Sequence, residues 1–175
     1  IWDGEKYFNV HRSKSIQGIK DCLSHINFNN VSQIIISSVV PALTKEYLNK
    51  LKEFTSIKPF EINWNNSNLI LNVDIPKEVG ADRICNSFAA KFLVGSPAVV
   101  VDFGAATTYD VIDENGAFIG GAIAPGIDIS AHHRIEKTAL LKSAAFQFPE
   151  KVVGRNTKTN LQSGIMFGGV DAKNG

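Results

Sequence analysis

The sequence predicts an α/β protein whose first part alternates strands with helices and whose second part begins with an antiparallel meander. Before residue 95, β-branched runs alternate with helically spaced apolar residues, the pattern of a largely parallel core. After Gly95-Ser96-Pro97, three strand-like runs follow one another with short turns. This composition break predicts a boundary between two half-domains, residues 1–96 and 97–175.

In the first half-domain, periodicity places the elements in turn. Residues 5–10 alternate roughly and are predicted to form a strand. Apolar residues spaced i, i+3, i+7 and i+10 predict a helix over 15–26, and a second apolar stripe predicts a helix entered through Pro41. The β-branched run at 31–40 is typical of a strand buried on both faces, and 60–64 predicts another short strand.

The clearest helical pattern in the chain covers residues 81–92. Its apolar residues are spaced i, i+3, i+4, i+7, i+8 and i+11, namely Ala81, Ile84, Cys85, Phe88, Ala89 and Phe92. We expect these side chains to be buried. That stripe leaves Asp82 and Arg83 outside the buried face in the first turn.

The second half-domain begins with three predicted strands, at 98–102, 107–113 and 117–123. Asn115-Gly116, between the last two, is a strong hairpin signal. Three antiparallel strands followed by a helix, predicted at about 129–141, are typical of a ribonuclease-H-like half-domain. A last helix is predicted from about residue 158.

Charge and hydropathy exclude two classes of partner. The chain has 18 Lys and Arg residues against 17 Asp and Glu residues, a net charge of +1 with neutral histidines. A nucleic-acid or membrane-surface binder needs a basic excess or a basic block, and the sequence has neither. Its apolar runs are also far shorter than the about 20 residues that cross a bilayer. We therefore expect binding to neither nucleic acid nor membrane.

Cysteine and histidine give no metal-site signal. Cys22 and Cys85 lie in predicted helices among apolar neighbours, without metal-ligand spacing, and are interpreted as buried, reduced thiols. Reduced thiols fit a cytoplasmic location. His132 and His133 are adjacent and would point about 100° apart on a helix, so they cannot share a metal ion.

Asp102 ends an apolar strand and precedes a turn of small residues, Gly104-Ala105-Ala106, and the hydroxyls of Thr107 and Thr108. Such a turn lets backbone N–H groups approach phosphate oxygens, while a carboxylate holds a cation that offsets phosphate charge. The alternative is a tight hairpin in which these side chains only satisfy turn amides. Spacing alone leaves both open.

Gly80-Ala81-Asp82-Arg83 begins the clearest predicted helix. In a functional interpretation, Arg83 binds a substrate carboxylate with two hydrogen bonds and Asp82 accepts a hydroxyl proton. In the alternative, Asp82 only caps exposed amides in the first turn, where the helix dipole favours negative charge.

Two further segments are rich in small or polar residues. Gly120-Gly121 and Ala124-Pro125-Gly126 flank a strand and allow either close approach to a ligand or a crowded corner. Gly154-Arg155-Asn156-Thr157 precedes the last predicted helix, and Asn156 or Thr157 is interpreted as its cap.

Together and in this order, these segments resemble the type III pantothenate kinases, a family sometimes labelled Bvg accessory factor, within the superfamily of acetate and sugar kinases and actin. The resemblance lies in 37–41 (Ser-Ser-Val-Val-Pro), 78–83, 101–110, 116–127, and 154–157 with Ser163-Gly164. It extends over essentially the whole chain. It implies an actin-like ATPase fold of duplicated half-domains, in which helices flank mixed sheets.

The resemblance also implies an activity, the phosphorylation of pantothenate by ATP to 4′-phosphopantothenate, the first step of coenzyme A biosynthesis. It implies that Asp82 accepts the proton of the attacking hydroxyl. The implied contacts with pantothenate are Gly80, Ala81, Asp82, Arg83 and Thr157.

The nucleotide and cations follow from the same resemblance. Gly104 and Ala105 correspond to ATP contacts, and Asp102 to the ligand of a monovalent cation, potassium or ammonium. A divalent cation, Mg²⁺, and a homodimer with the substrate site near its interface are further implications.

The sequence departs from the family pattern at three points. Ala105 stands where the family loop usually has a Thr, and the loss of one hydrogen bond, about 0.5–1.5 kcal/mol, predicts weaker nucleotide binding. Val73 stands where many members have a Tyr beside the substrate. The family also has an Asp-x-Gly-Asn-Thr phosphate loop, expected before Ile1, and further elements past Gly175. We therefore expect these 175 residues alone to have little or no kinase activity.

Two alternative functions remain open. One is another small-molecule kinase of the superfamily, acting on a sugar or a small acid. The other is a degenerate, non-catalytic homologue that acts as a regulator. Ala105 favours the regulator, whereas Asp82, Arg83 and Asp102 argue against it.

Overall fold

The computed structural model describes residues 4–6, 16–126 and 147–171 of the chain. Its α-helices are α1 (Ile16–Ser24), α2 (Pro41–Leu51), α3 (Ala81–Leu93) and α4 (Thr157–Asp171). Its strands are β1 (Ile35–Ile36), β2 (Phe60–Glu61), β3 (Ala98–Phe103), β4 (Ala106–Ile112) and β5 (Phe118–Pro125). Short 3-10 helices cover Phe28–Asn30 and Pro76–Glu78. The predicted mixed α/β class is confirmed. The predicted helix at 129–141 and most of the predicted strand at 5–10 lie outside the described residues.

The chain divides into two compact units. The first unit comprises Ile1–Asn68 and Ile75–Cys85, and the second comprises Leu69–Asp74 and Asn86–Gly175. The division falls within the sequence of α3. The half-domain boundary expected at 95–97 stays a prediction.

In the first unit, β1 and β2 form a parallel pair in which Ile35 lies opposite Phe60. The expected ten-residue strand at 31–40, buried on both faces, is wrong. Only Ile35–Ile36 forms a ladder, and Ile35 is 62% exposed. The physical reason is that β2, the partner strand found among the described residues, is itself only two residues long. The helix at Pro41 begins as predicted, with the proline in its first turn.

Helix α3 has the predicted bounds to within one residue, but its buried line differs from the predicted stripe. Ala81, Ile84 and Ser87 are the buried residues, spaced i, i+3 and i+6. Phe88 is 41% exposed and Phe92 is 81% exposed. Periodicity assigned the large aromatic rings to the core, whereas the helix buries a line of smaller side chains that includes a serine hydroxyl.

The second unit contains the predicted meander, which is confirmed. Strands β3, β4 and β5 lie in sequence order and pair antiparallel, with Val101 opposite Tyr109 and Tyr109 opposite Ala122. The β4–β5 hairpin turns at Gly116, whose φ of +75° favours glycine. Ile112 and Phe118 are both fully buried and belong to the core beside it.

The cysteines are free, as predicted, but Cys22 and Cys85 are half-buried rather than buried. Among the described helices, none combines the length and the apolar character that a bilayer crossing requires.

Candidate functional site

The Asp102 carboxylate is held by a side chain of helix α3. It lies next to the end of β3, opposite Thr108 of β4. Its Oδ2 atom accepts a hydrogen bond from the Nδ2 atom of Asn86 on α3 at 2.9 Å. Both residues belong to the second unit. This bond ties Asp102 to α3, and the choice between a turn role and a cation-binding role for Asp102 stays a prediction.

The small-residue turn after Asp102 is tightly packed against the end of β5. The amide of Gly104 donates to the carbonyl of Ala106 at 3.0 Å, and the amide of Gly126 donates to the carbonyl of Ala105 at 3.1 Å. A Cβ atom at Gly126 would collide with the carbonyl oxygens of Gly104 and Ala105. The structure thus brings the Gly120–Gly126 segment and the predicted phosphate turn together, and the glycine at 126 is required by crowding.

A buried carboxylate that sequence reasoning missed lies two residues beyond Thr108. Asp110 is fully buried on β4, and the Thr108 hydroxyl lies 3.4 Å from its Oδ2 atom. A signal was available, because Asp is depleted inside strands and its presence there needs a reason. Asn86 was also missed. No spacing signal could have found it, because its partner Asp102 is 16 residues away and on another element.

Asp82 occupies the first turn of α3, as predicted, and is exposed. Its Oδ1 atom accepts a hydrogen bond from the backbone amide of Arg83 at 2.8 Å. A Cβ atom at Gly80 would lie 2.5 Å from that oxygen and 3.2 Å from Cγ1 of Val39. Glycine at position 80 therefore permits the carboxylate to fold back onto the helix start. The first-turn amide contact is the capping role, and it engages one of the two carboxylate oxygens.

A pocket adjoins the start of α3 within the first unit. Its volume is about 350 Å³, and its lining includes Ser38, Asn63, Trp64, Lys77, Gly80 and Ala81. This lining combines an indole ring, neutral polar groups, the ammonium group of Lys77 and the carboxylate of Glu78. Small-molecule sites are of this kind, about 300–1,000 Å³ in volume with a few placed polar groups.

Asn156 caps α4, as the sequence predicted for Asn156 or Thr157. Its Oδ1 atom accepts a hydrogen bond from the amide of Thr159 at 2.9 Å. Thr157 is the first residue of the helix and is exposed. A cavity of about 610 Å³ in the second unit borders this cap, and its lining includes Lys151, Arg155, Asn156 and Lys158. Thr157 does not line it.

Apart from Thr157, which begins α4 in the second unit, the predicted site residues fall into two groups, each within one unit. Gly80, Ala81, Asp82 and Arg83 lie together in the first unit. Asp102, Gly104 and Ala105 lie together in the second unit, with Asn86. Within the described ranges, no group of three or more His, Cys, Asp or Glu side chains could hold a metal ion.

Helices with one parallel and one antiparallel sheet make this a mixed α/β protein, an architecture consistent with a kinase fold. A family model described as type III pantothenate kinase matches residues 7–175. The chain belongs to the type III pantothenate kinase family, which confirms the resemblance seen in the sequence.

Named relatives agree with the family match. A type III pantothenate kinase of Thermomicrobium roseum is 46% identical over 143 residues, which cover 81% of this chain and 55% of that protein. One of Dehalococcoides mccartyi is 39% identical over an alignment of 180 positions, which covers 96% of this chain and 70% of that protein. The chain thus spans about half to about two thirds of the length of these relatives.

A solved structure is also similar. It is a conserved Baf family protein from Campylobacter jejuni, described as a transcriptional activator. It is 27% identical in sequence, with a TM-score of 0.56, over 89% of this chain and 66% of that chain.

Proposed function

We propose that the protein carrying this chain phosphorylates pantothenate with ATP and yields 4′-phosphopantothenate, the first step of coenzyme A biosynthesis. The observation that carries the proposal is family membership over residues 7–175. Phosphoryl transfer relies mostly on positioning and on the neutralisation of phosphate charge. The parts to look for are a substrate clamp, a proton acceptor and a cation site.

Asp82 and Arg83 are the proposed proton acceptor and carboxylate clamp. Asp82 is exposed, and its Oδ1 atom accepts a hydrogen bond from the Arg83 amide. The adjoining 350 Å³ pocket, with Gly80 and Ala81 in its lining, supports a small-molecule site at this helix start. Guanidinium binds a carboxylate through two parallel hydrogen bonds, so Arg83 suits the carboxylate end of pantothenate. Thr157 is proposed as a further substrate contact.

Asp102, Gly104 and Ala105 are the proposed cation and ATP residues. The support for a monovalent cation, potassium or ammonium, is that the Asp102 carboxylate lies beside the turn, while the described residues contain no group of three or more His, Cys, Asp or Glu side chains that could hold a metal ion. The cation would offset the negative charge of the phosphates, and Mg²⁺ would accompany the nucleotide. The backbone amides of the small-residue turn would approach the phosphate oxygens.

The proposal extends to fold and assembly. We propose two ribonuclease-H-like half-domains of the actin-like superfamily, divided near Gly95, in a cytoplasmic homodimer.

An apolar surface at the end of α3 supports the dimer, since Phe92 is 81%, Leu93 77% and Val94 83% exposed. Light scattering of the full-length protein should give the mass of a dimer, and Phe92→Glu should give a monomer. A monomeric wild type would contradict this part.

A coupled assay of ADP release tests the activity. The full-length protein, supplied with ATP, Mg²⁺ and potassium, should release ADP only when pantothenate is added. Release with a sugar or another small acid but not with pantothenate would favour another kinase of the superfamily.

A second candidate function is that of a non-catalytic regulator. Its support is that the similar Campylobacter jejuni protein is described as a transcriptional activator, together with Ala105 in the predicted phosphate turn. Asp82→Asn separates the candidates. In an enzyme it should abolish turnover with only a modest loss of substrate binding, whereas an effect confined to partner binding would favour the regulator.

A further inference from the structure

We propose that Asn86 is a positioning residue for Asp102, which holds one carboxylate oxygen and thereby presents the other to the monovalent cation. The inference rests on the proposed cation role of Asp102. Asn86 itself contacts neither substrate nor nucleotide in this proposal, and acts only through Asp102.

The geometry is that of a charge-assisted hydrogen bond. The Asn86 Nδ2 atom lies 2.9 Å from Oδ2 of Asp102, and both side chains are half-buried. Bonds in which one partner is ionised are roughly twice as strong as neutral ones, and partial burial limits competition from water. The bond crosses from α3 to β3, so a rigid helix fixes the carboxylate.

The neighbouring strand does not supply this restraint. Thr108 lies directly opposite Asp102 on β4, but its hydroxyl is within hydrogen-bond distance of the buried Asp110 carboxylate. In the described part of the chain, the Asn86 carboxamide gives the hydrogen bond that Asp102 receives. The orientation of the Asp102 carboxylate therefore depends on α3.

The chemistry of an amide suits this role. A lysine or arginine at position 86 would pair with Asp102 and neutralise the charge that attracts a cation. An aspartate at position 86 would repel the Asp102 carboxylate, and an aliphatic side chain would donate no hydrogen bond to it. A carboxamide donates a hydrogen bond while it leaves the full negative charge on the carboxylate. Asn86 thus orients Asp102 and does not replace the cation.

The test measures potassium binding apart from catalysis. The melting temperature of the full-length protein is recorded against potassium chloride, with choline chloride holding ionic strength constant. Asn86→Leu and Asn86→Ala both lack the donor but differ in volume. Each should raise the half-saturating potassium concentration roughly tenfold. Ser87→Ala, the next residue on the same helix, is the matched control and should keep the wild-type value.

A second readout separates positioning from general stability. The potassium concentration that half-activates pantothenate-dependent ADP release should rise by the same factor, while kcat at saturating potassium stays within about threefold of wild type. If both variants only lower the melting temperature and keep the wild-type potassium response, the proposal is wrong. A wild type that phosphorylates pantothenate without any potassium response would also overturn it. A potassium response that Asn86→Leu weakens, in a protein without kinase activity, would support the inference while the proposed function fails.

Discussion

Gly80→Ala is the substitution whose effect the structure defines most closely. The added Cβ atom would lie 2.5 Å from Asp82 Oδ1, where ordinary contact begins at 3.4 Å, so the oxygen has to retreat by about 1 Å. The obstructed atom is the end of a side chain, which can move at low cost. The contact of 3.2 Å with Val39 asks for a shift of only a few tenths of an ångström.

In Gly80→Ala, kcat should therefore fall while the free energy of unfolding changes little. Alanine restricts the unfolded chain, which offsets the crowding, and the free energy of unfolding should change by no more than about 1 kcal/mol. Displacement of a catalytic group by about 1 Å costs on the order of 100-fold in rate, so kcat should fall by about that factor. Urea denaturation and the ADP-release assay of the full-length protein measure the two quantities.

Gly168→Ala is the matched control, because a Cβ atom there meets nothing within 4 Å on α4. It should raise stability by about 1 kcal/mol, since alanine is a better helix former than glycine, and leave kcat unchanged. Wild-type kcat in Gly80→Ala would refute the assignment of Asp82 as the proton acceptor. A loss of several kcal/mol in stability would show that Gly80 serves the fold rather than the carboxylate.

Three smaller predictions concern single groups. Ser87→Ala should raise the free energy of unfolding by about 1 kcal/mol in urea denaturation. The reason is that the buried Ser87 hydroxyl has no hydrogen-bond partner in the part of the chain the structure describes. A loss of stability would show that this hydroxyl does have a hydrogen-bond partner. Ala105→Thr should tighten ATP binding roughly two- to tenfold in calorimetry, and an unchanged Kd would remove the hydroxyl from the account of this turn. The hydrogen bond from Lys50 is the largest cause that lowers the pKa of Glu53 below 4.5, with Lys20 adding to it. The ionised Glu53 carboxylate therefore stabilises the folded protein above pH 4.5, and this stabilisation is lost as the pH falls through the lowered pKa. Glu53→Gln should lower the melting temperature slightly at pH 7 and not at pH 2. A difference in melting temperature that persists at pH 2 would contradict this.

The meander was predictable because each strand carries its own local signal. Asn115-Gly116 sets the hairpin, and Gly116 adopts the positive φ that this turn needs. The start of α3 was predictable for the same reason, since Gly80 and Asp82 mark it. Signals of this kind depend on residues close in sequence, and the structure retains them.

Features that depend on distant partners were not predictable. The run at 31–40 reads as a long strand, but the length of β1 is set by its partner β2, which the run itself does not encode. The buried line of α3 depends on what packs against it, so Ser87 is buried while Phe92 is exposed. The Asn86–Asp102 bond joins a helix to a strand and leaves no periodic trace in the sequence.

Transfer of the phosphoryl group itself tests the central claim most directly. Full-length protein is incubated with pantothenate, Mg²⁺, potassium and ATP labelled at the γ-phosphate, and the products are separated and weighed by mass spectrometry. Our account predicts labelled pantothenate that is heavier by one phosphoryl group, and its loss in Asp82→Asn. Label that stays in ATP or appears only as inorganic phosphate, in a folded protein that binds pantothenate, would contradict it.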